Sequence, residues 1–328
     1  MLFLHGVGHF HPENVIDNAF LEALDIGTTD DWIRERVGIR ERRTVLSLDY
    51  LRTTRNRDPR AAAEASLHTT AETGARAARF ALARAGLAPH DIGLVIAGGC
   101  SPQHLIPAEA CVVAAELGIG APAYDISSAC SSFAVQLHTL DQMKPESLPD
   151  FVLLVSAENT TRTVDYSDRN SAVLWGDGTS AAIVSPRVPA RARVVRTSIG
   201  SDPSGWDKVV IPAGGFFAQD GPAVQRFAIL RAGAVLDEMR AHVDPARLHF
   251  IGHQANLLML EAVARRGGIA PERHLYNVDV FGNCGAAGAA GVLSQRWDGL
   301  APGDRVAVAV VGSGLSWGGV LIEIAEAT

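Results

Sequence analysis

YDISSACSSFAVQL (124–137) and YNVDVFGNCGAAGAAGVL (276–293) decide how this chain is read. Each reads as a strand running into a helix of small residues. Each carries one chemically useful side chain near the junction: Cys130 in the first and Asn283 in the second. Both helices are too apolar to face water, so they are expected at the centre of the molecule.

The two stretches are one pair among five that recur in the same order in both halves. LFLHGVGHFHP (2–12) resembles ARVVRTSIGSDP (192–203), and DIGLVIAGGCSP (91–102) resembles LHFIGHQAN (248–256). PDFVLLVSAENTT (149–161) resembles GDRVAVAVVGSGLSW (303–317), and GTSAAIVSP (178–186) resembles WGGVLIEIAEA (317–327). Most of these segments are short, β-branched and apolar on both faces, as buried strands are. Helical periodicity fills the intervals at 72–87 and 224–241, and again in PAEACVVAAELG and LLMLEAVARRGG. The expected fold is α/β, with two similar halves layered around two central helices. The halves are 1–186 and 187–328, the first with an extra Arg- and Asp-rich segment at about 42–70.

The chain has 328 residues, 47% hydrophobic and 20% charged, which suits a globular protein with a sizeable core. Its longest apolar runs, such as Phe151 to Val155 and Val306 to Val311, are strand-length, far from the roughly 18 residues of a membrane-spanning helix. The start, MLFLHGVGHF, lacks a basic region and is broken by Gly and His, so it reads as a first strand and not as a signal peptide. None of the four cysteines (100, 111, 130 and 284) forms a C-x-x-C pair, and reduced thiols in a cytoplasm are the default. A net charge of −7 argues against a general nucleic-acid binder. Arginines nevertheless cluster at 34, 36, 40, 42 and 43 and at 52, 55, 57 and 60. A local basic surface of this kind docks acidic partners, and it is equally what a solvated helix and loop would carry.

Cys130 follows AYDIS and opens the helix, where exposed N–H groups and the helix dipole favour a thiolate. Its neighbours Ser128, Ala129, Ser131 and Ser132 are small enough for a substrate to approach. A buried structural cysteine is the competing reading. His253 follows the apolar strand LHFIG, at an edge that in α/β proteins faces the ligand crevice, although core histidines also occur there. Asn283 holds nearly the place in the second half that Cys130 holds in the first; it is also a residue that fills turns. Gly312, Ser313 and Gly314 form a tight loop that can aim a backbone N–H at an oxyanion.

YDISSACSSF, GHQAN, FGNCGAAG, GSGLSWGG and the early segment TTDDWIRERVGIRERR together resemble the thiolase-fold ketosynthases of the ketoacyl-acyl-carrier-protein synthase III family. The resemblance spans almost the whole chain. It implies a homodimer of five-layered αβαβα subunits. It implies Cys130 as nucleophile, His253 and Asn283 as the pair that stabilises an enolate, and the backbone N–H groups of Cys130 and Ser313 as the oxyanion hole. Trp32 and Arg36 would flank the nucleotide or pantetheine entrance, and Ile106 would reach an acyl pocket across the dimer. Substrates would arrive as thioesters of acyl carrier protein or coenzyme A, with no metal or redox cofactor.

Three features depart from the usual pattern. Cys284 and Gly285 replace the Thr-Ser that usually follows the Asn. Leu258 stands where the simplest members often carry a carrier-docking Arg. The 42–70 segment is long, as in stand-alone ketosynthases that fuse two β-ketoacyl chains into α-pyrones or cyclohexanediones. Two other readings remain: an acyltransferase moving the chain from Cys130 to an alcohol or amine, and a non-catalytic partner subunit of a ketosynthase pair.

Overall fold

The computed structural model describes residues 1–325, so the last two residues of the WGGVLIEIAEA stretch lie outside it. Nine strands form one mixed sheet: β1 (Leu2–Phe10), β2 (Leu94–Ala97), β3 (Ala123–Asp125), β4 (Val152–Glu158), β5 (Gly178–Ser185), β6 (Ala192–Ser201), β7 (Leu248–Gly252), β8 (Arg305–Gly312) and β9 (Ser316–Ile324). Their spatial order is β7-β8-β9-β6-β1-β5-β4-β2-β3. Reading outward from the β6–β1 contact, β9 answers β5, β8 answers β4 and β7 answers β2. The halves are therefore related as the sequence repeat requires. Within the sheet, β1 and β6 pair through Leu2 with Val194, Phe3 with Arg193 and Leu4 with Ala192.

The main helices are α1 (Asp30–Val37), α2 (Thr70–Ala85), α3 (Glu109–Leu117), α4 (Ser132–Gln142), α5 (Gly221–Arg240), α6 (Leu257–Arg266) and α7 (Ala287–Arg296). Helix α2 covers β1 and β5 and packs on α3, whereas α5 covers β8 and β9 and packs on α6. Between the two halves of the sheet lie α4, against β6 and β9, and α7, against β5 and β1. Helix, sheet, helix pair, sheet and helix make the five αβαβα layers. Every residue of β4 and β5 is buried, as expected of strands with both faces covered.

Small residues permit this stacking. A Cβ at Gly6 or Gly8 would run into the carbonyls of Ala81 and Ala77 on α2, so the glycines let the helix lie close on the sheet. Thr69 and Glu72 cap α2 reciprocally, and Gly86 ends it in the left-handed region at φ +68°.

One expectation is corrected. YNVDVF forms no strand; Val278–Phe281 is a single helical turn, so the second half contributes four strands and the first half five. The chain touches the β7 edge only at its entry, where His274 bridges Phe250 and the Leu275 N–H donates to the Phe250 carbonyl at 2.9 Å. The next donors, Asn277 and Val278, go to the Gln254 side chain and the run turns helical. The 42–70 segment supplies part of a two-stranded ribbon (Glu41–Thr44 with Asn14–Asp17) and two short helices, Leu48–Thr54 and Pro59–Ala65, capped by Ser47 and Asp58. Leu46, Leu51 and Ala62 join Ile33, Tyr166 and Trp175 in a core that packs around Cys130.

Candidate active site

The nucleophile turn is built from its own hydroxyls. Ala129 is held at φ +46°, which reverses the chain between β3 and α4. The Ser128 N–H donates to Ser132 Oγ at 2.9 Å, and Ser132 Oγ donates to the Ala129 carbonyl at 2.6 Å. Ser131 Oγ meets Ser316 Oγ at 2.9 Å, and Ser316 Oγ donates to the Ser313 carbonyl at 3.0 Å. This serine chain fastens the Gly312–Gly314 loop against Cys130. The packing is tight: a Cβ at Gly312 would lie 2.9 Å from Ser131 N.

Asn283 is held by backbone. Its N–H donates to the Leu174 carbonyl at 2.8 Å, and its own carbonyl accepts from Gly176 at 3.1 Å. Its Oδ1 accepts from the Gly285 N–H at 3.0 Å, which leaves Nδ2 to donate. His253 follows β7 directly. The buried Gln254 beside it accepts from the N–H groups of Asn277 and Val278 at 3.0 and 3.2 Å. Gln254 thus ties the His253 loop to the element that leads into Asn283.

Cys130, His253, Asn283 and Ser313 all line one cavity of about 880 Å³. Trp32 and Arg36 line it too, and Arg36 is exposed, so the pair marks the mouth. The Arg36 guanidinium lies 4.4 Å from the Trp32 ring centre, and Arg169 covers the same ring at 4.9 Å. Arg169 had no signal in the sequence; a single Arg beyond Asp168 looks like any surface cation. The inner arm of the cavity is apolar, with Val224, Phe227 and Ala228 of α5 facing Met259, Leu260 and Val263 of α6. Ile106 does not line the cavity of its own chain; it is 85% exposed, beside Leu105 at 86%.

Electrostatics separate the four thiols. Cys100 Sγ lies 3.3 Å from Cys130 Sγ. The hydrogen bond shared with Cys100, followed by the field of His253, holds the Cys130 thiol well below its ordinary range although burial opposes this. The same bond, with burial, holds Cys100 well above it. Burial and the nearby carboxyls of Asp177 and Glu158 also push Cys284 up, and its Sγ donates to the Phe281 carbonyl at 3.4 Å. Cys111 is exposed and remote from the cavity lining.

Beneath these groups sits Glu158, fully buried and raised to about 7, chiefly by desolvation. Its Oε1 accepts from the N–H groups of Cys100 at 2.8 Å and Ala286 at 2.9 Å, and its Oε2 accepts from Ser101 Oγ at 2.9 Å. Both Cys100 and Glu158 escaped the sequence reading. The available signal was that Cys100 follows β2, the parallel neighbour of the strand that leads to Cys130, so both loops leave the same sheet edge.

The arginine cluster is not one surface. Arg42 is fully buried, donating to the Val173 carbonyl and to Asn18 Oδ1. Arg40 is paired with Asp279 at 2.7 Å. Arg43 and Arg55 are half-buried, whereas Arg34, Arg36, Arg52, Arg57 and Arg60 stay exposed.

Comparison with known proteins agrees with this architecture. A family model described as 3-oxoacyl-[acyl-carrier-protein] synthase III matches residues 124–203, and the model of its C-terminal part matches residues 240–324. A β-ketoacyl-[acyl-carrier-protein] synthase III of Syntrophomonas wolfei is 31% identical, over 97% of this chain and 96% of that protein. The crystal structure of a 3-oxoacyl-[acyl-carrier-protein] synthase III from Aquifex aeolicus superposes with a TM-score of 0.86 at 30% identity, covering 98% of this chain and 100% of that one. A priming β-ketosynthase from a polyketide pathway gives 0.82 at 26% identity, over 99% and 97% of the two chains. Fold and matches define a condensing enzyme of the acyltransferase class, one that performs a Claisen-type condensation in fatty-acid or polyketide biosynthesis. The chain belongs to the 3-oxoacyl-[acyl-carrier-protein] synthase III family.

Proposed function

We propose that the enzyme loads an acyl chain onto Cys130 and joins it to a second acyl thioester. Cys130, His253 and Asn283 form the catalytic set. The observation that carries this reading is the single cavity onto which these three side chains and the Ser313 loop all open. In the first step the Cys130 thiolate attacks the thioester carbonyl. The N–H groups of Cys130 and Ser313 hold the tetrahedral oxyanion, and the carrier thiol departs. Losing one such donor typically raises the barrier by about 3 kcal/mol. In the second step the incoming thioester becomes a carbanion at its α-carbon, by decarboxylation or proton removal. His253 Nε2 and Asn283 Nδ2 donate to its thioester oxygen; the carbanion attacks the acyl-Cys130 carbonyl, and the tetrahedral intermediate collapses by breaking the C–S bond and releasing the Cys130 thiolate. The scheme requires no metal or redox cofactor.

The substrates arrive on the phosphopantetheine of acyl carrier protein or coenzyme A. Trp32 with two guanidinium groups against its ring suits a phosphate-bearing arm at the mouth. The enzyme works as a homodimer, in which the exposed Leu105 and Ile106 enter the acyl pocket of a second copy. Their near-complete exposure on one chain supports this.

The substrates themselves are two long β-ketoacyl chains, fused by the condensation. The apolar arm between α5 and α6 supports a long chain. Incubation with two β-ketoacyl thioesters of different length, read by mass spectrometry, tests the proposal. The expected product contains both chains joined through carbon. An ester or amide of a single chain would assign the enzyme to acyl transfer. An unmodified Cys130 would make the chain a non-catalytic subunit.

A further inference from the structure

We propose that Cys100 is a positioning residue for the nucleophile, donating its S–H to the Cys130 sulfur and so holding it as the thiolate. The inference rests on Cys130 being the acylated residue. Its ground is the 3.3 Å contact between the two sulfurs and the way the surrounding chain enforces it.

Cys100 stands three residues beyond β2, in a loop fastened from two sides. On one side, Ser127 Oγ donates to the Gly99 carbonyl at 2.9 Å, which ties the loop to the nucleophile segment. On the other, the Cys100 N–H donates to Glu158 Oε1 at 2.8 Å. The same oxygen accepts from Ala286, three residues past Asn283. One buried carboxyl therefore sets the distance between the Cys100 loop and the Asn283 loop. Gly285 completes the enclosure, since a Cβ there would sit 3.2 Å from Cys100 Sγ.

Inside this enclosure the two thiols are not equivalent. Cys130 opens onto the cavity and lies two residues before the first turn of α4, where the helix dipole favours an anion. Cys100 does not line the cavity and sits above the Glu158 carboxyl, where a second negative charge is unfavourable. The proton shared between the sulfurs therefore rests on Cys100. A thiolate that accepts a hydrogen bond is stabilised relative to the thiol, so a larger fraction of Cys130 is reactive at neutral pH.

Alkylation of the protein with iodoacetamide across a pH series, read at the Cys130 peptide, tests this in wild type, Cys100→Ala and Cys100→Ser. Loss of the donor should move the Cys130 midpoint upward and slow alkylation at neutral pH by roughly tenfold, the effect of one pKa unit. The serine variant, which keeps an O–H donor, should recover most of the wild-type rate. A midpoint unchanged by both substitutions overturns the proposal. A second measurement decides even if Cys100→Ala fails to fold. The ultraviolet absorbance of thiolate in wild type, referenced to Cys130→Ala, must be present at neutral pH, and its absence overturns the proposal as well. A Cys130 that alkylates as expected but accepts no acyl group would instead refute the condensation scheme.

Discussion

Gly285 and Glu158 are packed so closely that a Cβ on Gly285 would lie 2.6 Å from Glu158 Oε1. Gly285 also sits at φ +52°. The usual Ser at this position would need both a left-handed backbone and space that the carboxyl occupies. Gly285→Ala should therefore destabilise the protein by about 2–4 kcal/mol, combining left-handed strain with overpacking. Urea unfolding checks this. A loss below about 0.5 kcal/mol, the range of an ordinary surface change, would show that the Glu158 anchor yields easily.

Glu158→Gln should change how stability depends on pH while preserving the fold. The amide oxygen can still accept from Cys100 and Ala286, and its NH2 can donate to Ser101. Burial raises Glu158 from 4.5 to about 7, so between those values the unfolded chain has lost a proton that the native chain keeps. The contribution is complete below 4.5 and is lost as pH rises through 7. Asp177, raised to about 6, acts in the same direction. His11, held down to about 3, and His274, held down to about 4, act oppositely and lose stability as pH falls below 6.5. Relative to wild type, Glu158→Gln should gain stability steadily from pH 4.5 to 7, on the order of 3 kcal/mol. A difference that is flat with pH would mean that Glu158 is ionised throughout.

That Cys130, His253 and Asn283 line one cavity was legible because each lies within a contiguous motif at a strand or helix end. The repeat made the layered fold legible, since each of the four strands of the second half has its counterpart in the first at the same distance from the β1–β6 seam. What the sequence hid is set by tertiary context. Nothing in AGGCSP says that Cys100 meets Cys130; only the parallel pairing of β2 with β3 brings the two loops together. Arg42 looks like its neighbours in RERR, yet strand alternation turns it into the core and Arg43 outward. YNVDV has strand composition and forms a helical turn because the Gln254 side chain takes the Asn277 and Val278 N–H groups just after the chain leaves the β7 edge.

The burial of Arg42 narrows the surface that can dock an acidic carrier. Arg57 remains exposed and donates to Ser167 Oγ at 3.1 Å, next to Asp168 of the cavity lining. Arg55 is a poorer probe, because its Nη1 is buried. Arg57→Glu combined with Arg60→Glu should raise KM for carrier-bound substrate several-fold and leave small thioester mimics nearly unaffected. The difference should shrink with salt, because exposed charges are screened beyond about 8–10 Å at moderate ionic strength. Equal effects on both substrate forms would remove these arginines from carrier recognition.

Asn283→Ala should separate the two half-reactions. Loading needs a thiolate and an oxyanion hole. Cys100, His253 and the start of α4 supply the first, and the Ser313 loop, held by Ser131 and Ser316, supplies the second. None of these contacts runs through the Asn283 side chain, whose recorded bond is the local one to Gly285. The backbone bonds to Leu174 and Gly176 survive the substitution, so the loop keeps its place. The carbanion of the second step has different needs, because charge develops on the thioester oxygen of the incoming substrate. Removing one preorganised donor to that oxygen should slow condensation by roughly 10²-fold or more. Acylation of Cys130 should proceed at a rate close to wild type. His253→Ala should slow both steps, since its field also supports the thiolate. Single-turnover mass spectrometry, following acyl-enzyme and product separately, measures the two rates. If Asn283→Ala abolished acylation yet condensed normally once preloaded, the donor would belong to the loading step and the division of roles argued here would be reversed.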